Sequence, residues 1–465
     1  MKTLTVELKQ HTPLIHFQHD QQGATLRASE VKPKLDRFIL TKLGNGNYQD
    51  GIDAAKNNGW LVGKGEHPAI DYKMRIEATD NSENDIYLNS KEPKFKNGKV
   101  YHILEDFPML LSNMGGKENE EELVNFSFHR KIELVITVII KDKIRETELY
   151  EKLKEHITEF FANNNFGQRS SKGFGSFTAT NINNEDIAWK HGDVYESETR
   201  LMRYIDTSDE IDYDTISKLF AVIDFYWKCL KSGVNYTKRI INRPGDLERK
   251  IGDRYIKAYL WTYLNSLGKT WEKRQVKNDL DLECERPSGE TTAPNNNPVF
   301  FARAHLGCPM DGITYKIPRR DGVNRETSDR IDIKISHSNT DIERIPAPIT
   351  FKPVFHTIQN GAVKVVSVYI LINQEQADAL YNAHDTNFVF TNTTNGNTTT
   401  VPLYNNQDGT RFNIDFKDLI SKYHTHLKAE MPPKGQNYIF PFDFRGDSIL
   451  DENIKVEFNR TPQKP

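Results

Sequence analysis

The stretch from 132 to 177 leaves the chain little freedom of fold. Residues 132–140 (IELVITVII) form a β-branched run of strand length. Within 146–163 (ETELYEKLKEHITEFFAN), Leu149, Leu153, Ile157 and Phe161 recur four apart with charges between them, the stripe of a helix with one buried face. Directly afterwards Gly167, Gly173 and Gly175 fall within a segment running from Phe166 to Phe177, and a strand-like SFTAT follows. A strand, a helix, a tight glycine turn and a second strand in succession point to an α+β layer of helices on a sheet.

The N-terminus extends this pattern. Residues 3–9 alternate, with Leu4, Val6 and Leu8 on one face, as a half-buried strand requires. Residues 27–40 are helical in tendency, with Ser29 as candidate N-cap and Pro33 in the first turn. Residues 41–70, rich in Gly and Asn, read as irregular loop. Strands flanking helices in this order suggest a ferredoxin-like α+β sandwich. In the second half, apolar stripes predict helices over 214–230 and 251–268, and 279–298 (DLDLECERPSGETTAPNNNP) reads as a flexible loop. Alternation at Ile331, Ile333 and Ile335 predicts a strand, and 362–372 (AVKVVSVYILI) a central one. Asn395-Gly396 signals a hairpin turn, and 417–428 one more helix. The simplest partition is two α+β domains. Residues 1–200 would carry the glycine-rich loop 166–177, and 201–465 a helical insertion at 214–278 and the flexible loop 279–298.

The net charge is −3, so any affinity for nucleic acid must reside in local patches. No apolar run reaches the roughly 18 residues needed to span a bilayer, and the N-terminus lacks the apolar core of a signal peptide. Cys229, Cys284 and Cys308 are few and far apart, which suits reduced thiols in a cytoplasmic protein, and no C-x-x-C pair suggests zinc. No membrane association, metal or cofactor is expected. The two Asn-x-Thr triplets at 392–394 and 397–399 are read as ordinary loop residues.

The glycine-rich segment carries the most chemistry. Glycines allow positive φ and close backbone approach, so successive N–H groups can converge on an anion. Arg169 and Lys172 would add charge, and Phe174 a surface for stacking; the set suits a phosphodiester backbone, against the alternative of a tight solvated turn. A nucleotide-binding P-loop is excluded by order, since it needs Gly-Lys-Ser/Thr opening a helix, whereas Lys172-Gly173 follows one. Lys172-Gly173-Phe174-Gly175 also fits the first four positions of an RNA-recognition strand, but Ser176 replaces the aromatic that should follow.

Two other regions are basic. Arg27, Lys32, Lys34 and Arg37 lie at a helix start, where the dipole favours phosphate, with Glu30 and Asp36 balancing them. Across 231–278 twelve Lys or Arg face four acids, interleaved with Tyr236, Tyr255, Tyr259, Trp261 and Trp271, a mixture able to attract and stack single strands. Catalytic constellations are poor. His11, His16 and His19 cluster after the first strand without metal-ligating support, although one could act as general acid or base on a ribose hydroxyl. Asp212 with Asp214, and Glu120 to Glu122, are read as helix-start and solvated acids.

Taken together, Arg27-Ala28-Ser29 with Val31 and Lys32, followed by Gly167, Arg169, Lys172, Gly173, Phe174 and Gly175, resembles the RAMP superfamily of CRISPR proteins. Within it the chain is most similar to the first-subunit family of the Cmr (type III-B) effector complex. His305-Leu306-Gly307-Cys308-Pro309-Met310 resembles that family's Leu-Gly-Leu-Pro-Ile element, and Arg344-Ile345-Pro346-Ala347-Pro348-Ile349 its Arg-x-Ala-Ser-Pro-Leu element. The chain departs at Pro33 and Lys34, where the family usually has Gly-Ala, and at Asp36, which looks inserted. The resemblance implies ferredoxin-like (RRM-like) domains and RNA contact through Arg27, Lys32, Gly167, Arg169, Lys172, Gly173, Phe174 and Gly175. It further implies a non-catalytic subunit near the 3′ region of a guide RNA, with guide RNA, target RNA and other RAMP subunits as partners. The alternative is a metal-independent, guide-processing endoribonuclease using His16 or His19.

Overall fold

Leu4, Val6 and Leu8 are wholly buried and the residues between them are not, so the first strand, Lys2–Gln10 (β1), has one face in a core. A computed structural model describes residues 1–15, 25–63, 68–78, 84–86, 90–96, 99–104, 126–129, 131–187, 200–206, 213–240, 249–280, 299–309, 313–318, 328–337, 344–345, 347–358, 363–373, 387–403, 413–429 and 454–455. It divides into two compact units, 1–223 with 350–371 and 442–465, and 224–349 with 372–441. The first unit thus runs past residue 200 to 223 and takes two later segments, 350–371 and 442–465.

In the first unit β1 is followed by helix Ala28–Leu43 (α1), strands Tyr72–Ala78 (β2) and Ile132–Val138 (β3), helix Lys143–Asn163 (α2) and strand Phe177–Ile182 (β4). The sheet is antiparallel in the order β4-β1-β3-β2, with the short strand Glu185–Asp186 outside β4. Leu4 pairs with Ile136 and Val6 with Leu134, which puts Leu4, Val6 and Leu8 of β1 and Ile132, Leu134, Ile136 and Val138 of β3 on one face. Val31, Leu35 and Ile39 of α1 and Leu149, Leu153, Ile157 and Phe161 of α2 cover that face and are wholly buried. Each such aliphatic side chain contributes about 1.5–3 kcal/mol. Strands Ile349–Ile358 (β5), Val363–Ile372, Arg200–Asp206 and Ile454–Lys455 make a second, four-stranded sheet in which Val363–Ile372 is central, as its apolar run predicts.

Three expectations are corrected. Residues 41–70 are not all loop, because the Asn47 side chain accepts from the Gln49 and Asp50 amides and starts a helix over Tyr48–Asn57. The N-cap of α1 is Arg27 rather than Ser29, and the Glu30 and Val31 amides bond to the Arg27 carbonyl; Pro33 therefore lies beyond the first turn. The predicted helix over 251–268 is a strand and a shorter helix. Arg249–Ile256 pairs with Val234–Ile240, and extended Ala258 delays the helix to Tyr259–Ser266. The hairpin interrupts the expected helical insertion. Of the expected flexible loop 279–298, residues 281–298 lie outside the described set.

In the second unit, strands Ile313–Pro318, Ser328–His337, Asn387–Asn392 and Thr398–Pro402 form an antiparallel meander, and Asn395-Gly396 turns the last hairpin with Gly396 at φ 78°. Tyr259 stacks on Tyr423 of the helix Phe416–Ala429 at 5.0 Å, and the Tyr226 hydroxyl lies 2.9 Å from His424 Nε2.

Candidate nucleic-acid interface

The glycine-rich segment joins α2 to β4 and is a closed turn. Asn165 bridges to Ser176, and the Phe166 amide donates to the Gly175 carbonyl at 2.9 Å. At Gly175 (φ 64°) a Cβ would lie 1.9 Å from the Phe166 carbonyl oxygen, so only glycine closes this crossing. Several loop amides are spent on the protein itself. Gly167 donates to Glu30 Oε1, Gln168 to the Ile15 carbonyl, Gly173 to Ser170, Gly175 to Pro13 and Ser176 to Thr12 Oγ1. The expected convergence of these amides on an anion is therefore corrected. They bind the segment to residues 12–15 and to α1, because a buried N–H without an acceptor costs about 1–3 kcal/mol.

The loop has two halves. Gly173 to Ala179 are buried, whereas Gly167 to Lys172 are half-exposed. Phe174 is wholly buried and stacks on Phe220 of the helix Tyr213–Lys231 (α3) at 4.1 Å and 16°, so it offers no platform for a base. Residues 170–172 form a 3₁₀ turn rather than the start of an RNA-recognition strand. Ahead of that turn Arg169 holds φ 55°, ψ 25°, a left-handed conformation that costs a side-chain-bearing residue about 1–2 kcal/mol. The half-exposed portion thus presents Arg169 and Lys172 on a short turn above a buried base.

Through Glu30, the first turn of α1 lies against the start of this loop. Arg27 is exposed at that end. Lys32 is not brought to the loop. Its ammonium bonds to Asp36 Oδ2 at 2.8 Å and the Ile70 carbonyl at 2.9 Å, and lies 4.0 Å from the Tyr72 ring centroid. Burial, then the Asp36 charge, pushes the Tyr72 hydroxyl well above its ordinary pKa. The lysine beside the loop is Lys34. Its Nζ donates to the Asn165 carbonyl at 3.1 Å, pairs with Glu30 at 3.5 Å and lies 4.9 Å from the Phe166 ring centroid. The signal was present in the spacing, since Arg27, Glu30 and Lys34 recur at three and four residues along one helix face.

Below the loop lies a residue that no motif indicated. Lys352 of β5 is wholly buried, and its Nζ donates to the carbonyls of Phe161 at 2.9 Å, Asn164 at 2.8 Å and Phe177 at 2.9 Å. Burial pushes its pKa well below the ordinary lysine value.

His11 is a core residue. The Phe355 amide donates to its Nδ1 at 3.0 Å, which leaves the proton on Nε2, 2.7 Å from Thr178 Oγ1. His16 and His19 lie outside the described residues. So do 241–248 of the basic stretch, Cys284, Asp212 and Glu120 to Glu122. Cys229 is buried, and burial pushes its thiol up. Among the described residues no group of three or more His, Cys, Asp or Glu could hold a metal ion, and no helix is long and apolar enough to cross a membrane.

In the second unit the two short motifs of the sequence meet. Cys308 pairs with Ile345 and Pro309 with Arg344 in an antiparallel bridge. At Gly307 (φ 87°) a Cβ would lie 2.9 Å from Ala347 Cβ, and the Gly307 carbonyl accepts from Lys231 Nζ.

Solved structures similar to the chain include one of the Type III-B Cmr-beta bound to cognate target RNA, at 8% identity and TM-score 0.35, covering 90% of this chain and 98% of that one. Another is the same assembly bound to cognate target RNA and AMPPnP (state 2, in the presence of ssDNA), at 11% identity and TM-score 0.30, covering 79% and 94%. No curated protein matches. The Cmr1 N-terminal domain family matches residues 1–234, and the Cmr1 C-terminal domain family residues 255–441. These matches cover both the glycine-rich loop and the paired Gly307 and Arg344 motifs, and the chain belongs to the Cmr1 family.

Proposed function

We propose that the chain is a non-catalytic, cytoplasmic RNA-binding subunit of a type III-B CRISPR (Cmr) effector ribonucleoprotein. It grips guide or target RNA near the 3′ region of the guide and assembles with other RAMP subunits. The order β4-β1-β3-β2, with helices after the first and third strands, supports a ferredoxin-like (RAMP) first domain. By the same reading the second domain is a RAMP-like α+β unit. The observation that carries the RNA reading is the half-exposed turn at 167–172, where an arginine occupies a left-handed position that glycine would fill at lower cost. Arg169 and Lys172 hold phosphates through charge, with Arg27 and Lys34 along the neighbouring helix end. Sequence-tolerant, salt-sensitive binding follows.

The test is fluorescence anisotropy of labelled oligouridine with the full chain across a salt series. Arg169→Ala with Lys172→Ala should weaken binding and reduce the slope of log K against log salt by about 1.4, at about 0.7 for each single-strand phosphate that is no longer neutralised. Unchanged affinity and slope would overturn the reading. Incubation with repeat RNA in EDTA should leave the RNA intact; site-specific cleavage lost in His16→Ala/His19→Ala would make the chain a nuclease instead.

A further inference from the structure

Residues 351–355 of β5 touch the glycine-rich loop and the first strand almost position by position. The Phe351 carbonyl accepts from Asn165 Nδ2 at 2.7 Å, and the same nitrogen donates to the Ser170 carbonyl at 2.8 Å, inside the loop. The Pro353 carbonyl accepts from Ser176 Oγ at 2.6 Å. The Phe355 amide donates to His11, and its carbonyl accepts from Lys9 Nζ at 3.0 Å. Between them Lys352 places one ammonium on Asn164, where the loop starts, and on Phe177, where it ends. A single cation thus braces the base of the loop beneath the Asn165–Ser176 bridge, and its third bond, to Phe161, takes up a carbonyl that the end of α2 leaves without a helical partner.

We infer that Lys352 is a positioning residue for RNA binding: by tying Asn164 to Phe177 it fixes the turn on which Arg169 and Lys172 stand. The inference rests on the RNA reading of that turn. Lys352 meets no RNA itself, since it is wholly buried. Without it the three carbonyls lose their common donor, only the Asn165–Ser176 bridge and the Phe166–Gly175 bond hold the two ends of the loop together, and the cations lose their fixed spacing. The remaining bonds from Asn165 and Ser176 keep β5 against the loop, so the loss is one of geometry at the tip more than of the sheet.

Lys352→Met keeps the length of the side chain and removes the charge. In the full chain, hydrogen exchange should quicken at the Gln168 and Gly175 amides and stay slow at the paired amides of β1 and β3. Oligouridine affinity should fall to the level of Arg169→Ala/Lys172→Ala. Added to that double variant, Lys352→Met should cause no further loss, because it acts through those two cations. Full affinity in Lys352→Met, when the double variant is weakened, overturns the inference and leaves the RNA reading standing. So does a loss that simply adds to that of the double variant. If the double variant binds RNA as well as the parent, the RNA reading fails, and the exchange rates alone decide whether Lys352 holds the loop: unaltered rates at Gln168 and Gly175 overturn it. Should Lys352→Met not fold, Lys352→Gln, shorter and uncharged, is read by the same criteria.

Discussion

Two glycine turns in this molecule are built alike and differ in what surrounds them. Gly175 in the first unit and Gly307 in the second both have positive φ, and both sit where a methyl group would collide with a neighbouring segment. Around Gly307 the preceding turn faces inward. Ala302 to Leu306 are buried, Arg303 is held by buried Glu272 (which also accepts from the Ala302 amide at 3.1 Å), and His305 Nε2 donates to the Leu403 carbonyl at 2.9 Å. Around Gly175 half of the turn is similarly packed, but the other half lifts Arg169 and Lys172 to the surface. Glycine spacing therefore reports close approach of backbone in both places. Only the charged, half-exposed shoulder separates a turn suited to a polyanion from a packing joint.

Substitutions put this contrast at risk. The largest effect is expected from Gly175→Ala, which combines a left-handed φ with a backbone clash: urea unfolding should show a loss of about 4 kcal/mol, with RNA binding lost as well. A mild effect would mean that the loop crossing has slack. Next comes acid. Burial pushes His305 down to about 4, from about 6.5 when unfolded. The unfolded chain takes up the proton first, so His305 contributes its full stability above pH 6.5 and loses it as pH falls towards 4, by up to about 3 kcal/mol. His305→Gln should flatten the pH dependence of unfolding across that window; a profile identical to the parent's would contradict this. Gly307→Ala should cost about 2 kcal/mol and leave oligouridine affinity untouched, the sharpest contrast with Gly175→Ala. The smallest change belongs to Lys34→Ala. Its partly exposed ion pair with Glu30 is worth less than about 1 kcal/mol, while the salt slope of RNA binding should drop by about 0.7 if Lys34 meets a phosphate. An unaltered slope would confine Lys34 to holding the loop.

The periodic parts of the fold were legible because their signals are local. The apolar stripe of α2, the alternation in β1 and the Asn395-Gly396 turn all lie where the spacing puts them. What failed was mostly decided by partners distant in sequence, together with one local cap. Phe174 reads as an exposed aromatic until Phe220 is brought over it. Lys32 reads as a groove cation until the Ile70 carbonyl and Asp36 claim it. Tyr48–Asn57 reads as loop because Asn47 and Gly51 suggest turns, although the former is the cap that starts a helix. Lys352 had no sequence signal beyond being a charged residue amid apolar neighbours, and its partners lie 175 to 191 residues away.

That separation has a consequence during biosynthesis. The ribosome releases α2, the glycine turn and β4 long before it reaches position 352, and the Cmr1 N-terminal match itself ends at 234. An emerging chain, or a fragment cut at that boundary, carries both tip cations but not the ammonium that joins the two ends beneath them. The turn therefore acquires its final support only after most of the polypeptide has been made, so a nascent or truncated chain has the charges of the turn before it has the shape.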